Sequence, residues 1–306
     1  MVQLKLKVGE LAVIGGIALF LLLVQVISLL LVQPLTGYDL RAFGDPESVW
    51  NPIYYVALLI VFTGALLVII KYNMRWLIQL IMGVAILSTL VYVLFGLAVL
   101  MVPTLDPLIA VGASAIVSVL LTALLVLYPE WFIIDSVGVL VASGASALFG
   151  VSLAIVPTLI LLVLLAVYDY VAVYKTKHMI KLAEGVMDLK MPIMFVMPRR
   201  WGYSFVRAKG LPKEGGEREA YFMGLGDAVM PTMLAVSANA FLNVPRILGF
   251  VNVPALGSLA GTLVSYVALM YIVVELKKPQ AGLPFLCTGS IVGFLLGCLA
   301  AGVNPF

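Results

Sequence analysis

Residues 154–174 read AIVPTLILLVLLAVYDYVAVY, 21 residues with one charge, Asp169. Roughly 20 apolar residues give a helix long enough to cross the hydrocarbon core of a bilayer. The run is apolar throughout instead of alternating with period two, which suits a membrane helix and not a barrel strand. Outward from it, the chain carries further runs of the same kind at 11–32, 53–70, 76–102, 107–128, 131–150, 220–241, 254–274 and 283–303. Gly150 and a dip in apolarity divide the 131–150 run from the 154–174 run. The pattern predicts an all-α integral membrane protein, a bundle of nine transmembrane helices. Residues 1–174 hold helices one to six, 175–219 form a basic loop, and 220–306 hold helices seven to nine.

Composition points the same way. Of 306 residues, 63% are hydrophobic and 11% charged, with a mean hydropathy of +1.17. A soluble domain carries roughly 25% charged residues, so this chain lacks the charge to cover a water-facing surface. The expected surroundings are the lipid bilayer, and no nucleic-acid partner is expected. The first run is too long for a cleaved signal peptide and lacks a small-residue cleavage site, so it counts as a span. Cys287 and Cys298 lie eleven residues apart on one run, about 16 Å along a helix. That is too far for a disulfide, and both read as packing residues.

The basic residues orient the bundle. With a cytoplasmic N-terminus, nine spans put Lys5, Lys7, Lys71, Arg75, Lys277, Lys278 and the ten Lys and Arg residues of the 175–219 loop on the inside. Only Arg41 and Arg246 remain outside. The positive-inside rule predicts this asymmetry. The expected location is the plasma membrane, with the C-terminus external.

An ionisable group within a span is costly and is read first as functional. Three acids qualify: Asp135, Asp169 and Asp227. Asp106, beside Pro107, reads as an interfacial turn residue, and Asp135, near a helix end, as a snorkelling or packing residue. Asp169 lies six residues before Lys175, and Asp227 nine residues after Arg218. On antiparallel neighbouring helices these counts place both carboxyls at similar depth, with no Lys or Arg there to neutralise them. Facing carboxyls in a low-dielectric site cannot both ionise cheaply, so they share a proton. That arrangement serves aspartic proteolysis. A proton- or cation-coupled transporter would also use paired acids, and burial alone leaves the two equally open.

The surroundings of the acids are specific. Asp169 stands in Ala166-Val167-Tyr168-Asp169-Tyr170, and Asp227 in Gly224-Leu225-Gly226-Asp227. The pair resembles the YD and GxGD motifs of the presenilin and signal peptide peptidase family of intramembrane aspartyl proteases, most like a prokaryotic, archaeal presenilin homologue. GxGD by itself recurs by chance; its pairing with YD on the preceding span is what carries weight. The resemblance implies that Asp169 and Asp227 are catalytic and that Tyr168, Gly224, Leu225 and Gly226 lie at the substrate. The family's third motif, PAL, opens its ninth span near the aspartates. The literal Pro254-Ala255-Leu256 opens the eighth span on the opposite side. Leu283-Pro284-Phe285-Leu286 is the better match, with Phe285 in place of alanine, and adds a substrate-binding element.

Local chemistry accompanies the motifs. Gly224 and Gly226 remove side chains from the expected helix turn before Asp227, allowing close approach. Pro231 cannot donate to the Asp227 carbonyl four residues earlier. The segment Met191-Pro192-Ile193-Met194-Phe195-Val196-Met197-Pro198 is apolar, Pro-bounded and too short to span. It is expected to be extended and to pair with a substrate strand.

Other intramembrane proteases do not fit. A zinc site or a Ser–His pair needs a histidine within the spans, and the only one, His178, is in the loop. Prepilin peptidases typically carry Lys two residues after the GxGD aspartate, where this chain has Val229. No metal or organic cofactor is implied. By the resemblance, substrates are transmembrane segments with an external N-terminus. Presenilins need partner subunits and can cleave themselves in the loop. This sequence shows neither requirement, suggests an enzyme acting alone, and leaves self-association open.

Overall fold

The structure is a computed structural model that describes residues 8–72, 74–175, 194–200, 202–207, 219–247, 249–276 and 280–305. Most of the 175–219 loop, with residues 191–193 and His178, lies outside the described residues. The helices are α1 (Val8–Gly37), α2 (Trp50–Lys71), α3 (Arg75–Met101), α4 (Pro107–Leu127), α5 (Trp131–Ser152), α6 (Ile155–Tyr170), α7 (Leu225–Phe241), α8 (Val253–Leu276) and α9 (Leu283–Ala301). A π-turn, Val171–Lys175, continues α6. All helices except α7 are long and apolar enough to cross a membrane.

Helices that are apolar all round carry no stripe to say which face turns inward. The sorting follows side-chain size instead. In α7 every residue from Ala228 to Asn239 is buried, and it forms the centre of the bundle. Its alanines and Ser237 leave room for neighbours to approach closely. On α9, Gly289 and Gly293 meet Gly261 and Gly257 of α8, where a Cβ would fall on a backbone carbonyl. The outer helices α2 and α4 expose apolar residues such as Leu58, Val61, Leu108, Leu120 and Leu127, as a lipid-facing surface requires.

Two expectations are corrected. Gly150 does not mark the break before the sixth helix. It lies inside α5, where a Cβ would sit 2.5 Å from Val236 of α7, so the glycine serves close packing. The break falls at Leu153–Ala154, whose polar groups are satisfied locally. Ser237 Oγ and Thr158 Oγ1 donate to the Leu153 carbonyl at 2.7 and 3.0 Å, and Ala154 N–H donates to the Pro46 carbonyl at 2.9 Å. The 220–241 run is not helical throughout either. It opens as strand β2 (Ala220–Gly224), which pairs antiparallel with β1 (Met194–Pro198), Val196 opposite Phe222. The helix is therefore only 17 residues long. Strands β3 (Arg246–Ile247) and β4 (Val251–Asn252) form a small hairpin between α7 and α8. Asp106 caps α4, accepting the Leu108 N–H at 2.8 Å, the turn role expected of it.

Candidate active site

Asp169 is the second-last residue of α6, 5% exposed. Its Oδ2 accepts the N–H of Leu283 at 3.2 Å. Leu283 is the first residue of α9, so this N–H is one of the four without an intrahelical acceptor. A carboxylate meets that need and the positive end of the helix dipole together.

Asp227 stands in the first turn of α7, directly after β2. This too is a helix N-terminus, where a negative charge is favoured. The carboxyl is half-buried and faces Gly282. A Cβ at Gly282 would lie 2.7 Å from Oδ2 and 2.8 Å from Cγ and Oδ1. Gly282 thus touches one carboxyl and Leu283 bonds the other, with their Cα atoms about 3.8 Å apart. Both carboxyls therefore lie against the same two-residue stretch. Two helix N-termini converge on a pair of acids, an arrangement that holds one shared negative charge and can activate a water.

The segment before α9 is fixed from α6 as well. Tyr174, in the π-turn, donates its hydroxyl to Gln280 Oε1 at 2.6 Å and accepts the Ala281 N–H at 3.3 Å. π-Turns insert an extra residue into the helical repeat and concentrate at functional sites. Here the turn carries a tyrosine five residues past Asp169 to the same short segment. Tyr174→Phe removes both bonds from a partly exposed site. It should lower the reporter cleavage rate about 3- to 10-fold, with an unchanged Tm in a thermal melt.

The sequence-predicted residues divide into two groups. Asp169, Asp227, Gly224 and Leu283 meet at the site, with a Gly224 Cβ 3.6 Å from Asp227 Oδ2. Gly226 is exposed, and among the described residues a Cβ there meets nothing within 4 Å. Tyr168, Pro284 and Phe285 are half-buried next to the site. Leu286 is fully buried, and the half-buried Leu225 reaches to 3.3 Å from a Cβ at Gly138 of α5. Gly224 is not in a helix turn as expected. It is the extended last residue of β2, with φ −60° and ψ 140°, so its missing side chain opens a strand-to-helix junction. Pro254 lies against Gly297, fourteen residues and about 21 Å along α9 from Leu283, so the literal Pro-Ala-Leu is at the far end from the acids.

The pairing of β1 also differs from expectation. Arg199 N–H bonds the Glu219 carbonyl at 2.9 Å, and Val196 N–H turns away from β2 to Asp135 Oδ1 at 2.7 Å. Ladder bonds alternate along an antiparallel pair, so Phe195 and Met197 bond to β2 while Val196 faces outward. The outer N–H at the middle of β1 is therefore taken by α5. The same alternation turns the N–H and C=O of Phe222 to the outer edge of β2.

Sequence reasoning missed Gly282, Tyr174 and the role of Asp135. A glycine just before Leu-Pro is a legible hint of close approach. Tyr174 has no such signal, because a π-turn shifts the helical repeat, and Asp135 stood out as an acid within a span while its partner on a strand 61 residues away did not.

Comparison with known proteins bears on this site. The family model for signal-peptide peptidase, presenilin aspartyl protease, matches residues 17–303. A structure of a presenilin family intramembrane aspartate protease in the C222 space group is 38% identical, covering 94% of this chain and 99% of that one, with a TM-score of 0.69. A structure of a presenilin family intramembrane aspartate protease in the P2 space group is 39% identical over 94% and 97%, with a TM-score of 0.67. A search of curated proteins found no match.

Proposed function

The chain belongs to the signal-peptide peptidase and presenilin aspartyl protease family, and from that premise we propose that Asp169 and Asp227 are its catalytic pair. The family is one of intramembrane proteases acting on transmembrane substrates, and nothing in the comparisons supports a transporter. The observation that carries the assignment is the convergence of both carboxyls on Gly282 and Leu283.

The chemistry follows from one shared proton. The ionised carboxylate takes a proton from a water, whose oxygen attacks the scissile carbonyl carbon. The protonated carboxyl gives its proton to the carbonyl oxygen, forming a gem-diol. The first carboxyl then protonates the amide nitrogen, the C–N bond breaks, and the other carboxyl regains a proton from a gem-diol hydroxyl. The pair ends with one proton, as it began.

A helical peptide bond is hidden from this pair, so the substrate must unwind. The outer edge of β2 supports strand addition: Phe222 turns its N–H and C=O outward, and the strand runs into Gly224 beside Asp227. β1 is less suited to this role, because its central outward N–H, on Val196, is already bonded to Asp135. Charge asymmetry supports a cytoplasmic N-terminus and loop, an external C-terminus and placement in the plasma membrane. The enzyme acts without accessory subunits, on segments with an external N-terminus.

The test is cleavage of a single-span reporter by the purified chain in liposomes. Cleavage within the span, stopped by a transition-state-analogue aspartyl protease inhibitor, is the expected result. A folded protein that cuts none of several reporters, or cuts them in saturating inhibitor, overturns the assignment.

A further inference from the structure

The geometry points to Asp135 as a positioning residue: from α5 it holds β1, and through β1 the edge of β2, in one register beside Asp227. This rests on the reading that substrate pairs with β2.

Asp135 is 2% exposed, a costly place for a carboxyl in a span. Its Oδ1 accepts the Val196 N–H at 2.7 Å, and its Oδ2 has no hydrogen-bond partner among the described residues. The hydrogen bonding of this group is thus directed at β1. Val196 is the middle residue of β1, with its N–H turned away from the ladder, and without Asp135 that donor would be buried and unpaired.

Apolar contacts hold the strand down but do not choose its register. Phe195 stacks on Phe20 of α1 with ring centroids 5.4 Å apart, and Met197 lies over Gly16 of α1. Such contacts tolerate sliding. The Asp135 bond does not, because a slip of one residue turns a carbonyl-flanked, inward-facing position toward the carboxyl. A slip of two in one direction brings Pro198, which has no N–H. Glu130, at the start of α5, adds a second anchor, accepting Ser204 Oγ at 2.7 Å and Phe205 N–H at 3.1 Å.

The register passes on without a break. β1 pairs with β2, and β2 enters α7 at Leu225. Where Val196 sits decides where Phe222 and Gly224 sit relative to Asp227. A substrate strand on that edge inherits the setting, so Asp135 decides which peptide bond meets the catalytic pair.

The test uses the full chain in liposomes, a single-span reporter, product masses, kcat and KM, and active-site titration with the transition-state-analogue inhibitor. Asp135→Ala should spread the cut over neighbouring bonds and raise KM about tenfold or more, with the titre retained. Asp135→Asn keeps an accepting oxygen and should restore the single cut. Val196→Pro deletes the same bond from the strand side without removing a ladder bond. It should reproduce the spread, and Asp135→Ala should add nothing in its background. If the alanine variant does not fold, the asparagine and proline variants decide. Wild-type cut position and KM in Asp135→Ala or Val196→Pro, or a spread in Asp135→Asn equal to that in Asp135→Ala, overturns the inference. A reporter with backbone ester links beside the cut separates the premise. If wild type cleaves it with unchanged KM, strand pairing itself fails. If the ester impairs cleavage while Asp135→Ala is normal, only the role of Asp135 fails.

Discussion

Asp169→Ala and Asp227→Ala each reduce reporter cleavage by about 10⁴-fold, to background, and the double substitution is no worse. The two carboxyls act as a unit, one accepting a proton as the other donates, so removing either removes the whole step. Effects within such a unit do not add. Asp169→Asn and Asp227→Asn fail as completely, because an amide keeps the shape and loses the exchangeable proton. Stability should move the other way. Neither acid has a basic partner among the described ion pairs, where only Arg41 with Asp39 is found. Removing a carboxyl from such a site relieves a desolvation cost, so Tm should hold or rise in Asp227→Ala, while in Asp169→Ala the lost bond to the Leu283 N–H offsets that gain. The measurements are product formation over long incubation and a thermal melt in the same detergent. Residual cleavage in both single variants would move the chemistry elsewhere in the chain.

Gly282→Val produces the second large effect, a loss of about 10²-fold or more in kcat. A Cβ at this position would lie 2.7–2.8 Å from the carboxyl atoms of Asp227, closer than non-bonded atoms approach. The least costly relief is rotation of the Asp227 side chain, which ends in a carboxyl that can turn. The fold therefore tolerates the change, whereas the pairing with Asp169 does not. A displacement of about 1 Å in a reacting group is enough for a loss of this size. The diagnostic pattern is a collapsed kcat and weakened binding of the transition-state analogue beside a near-normal Tm. A variant that keeps wild-type kcat would show that Gly282 does not set the Asp227 carboxyl.

Much of this protein was legible in its sequence, and the reason is the solvent. A bilayer core permits few spanning structures, so unbroken apolar runs determined helix number, and clustered Lys and Arg residues implied an orientation. The cost of a carboxyl in hydrocarbon singled out Asp169 and Asp227, and the short spacing of each from the 175–219 loop put them at one end of the bundle. Contacts were not legible. Helices apolar on every face have no periodic stripe to say what they touch, so Gly150 read as a break although it is a close approach. Nor could local pattern separate the strand 220–224 from the helix it leads into, since both are apolar and the distinction rests on pairing with 194–198. Gly282 against Asp227, Leu283 on Asp169 and Asp135 on Val196 join residues between 55 and 114 positions apart. Single directional hydrogen bonds and the absence of one side chain make those meetings, and they exist only once the helices have packed.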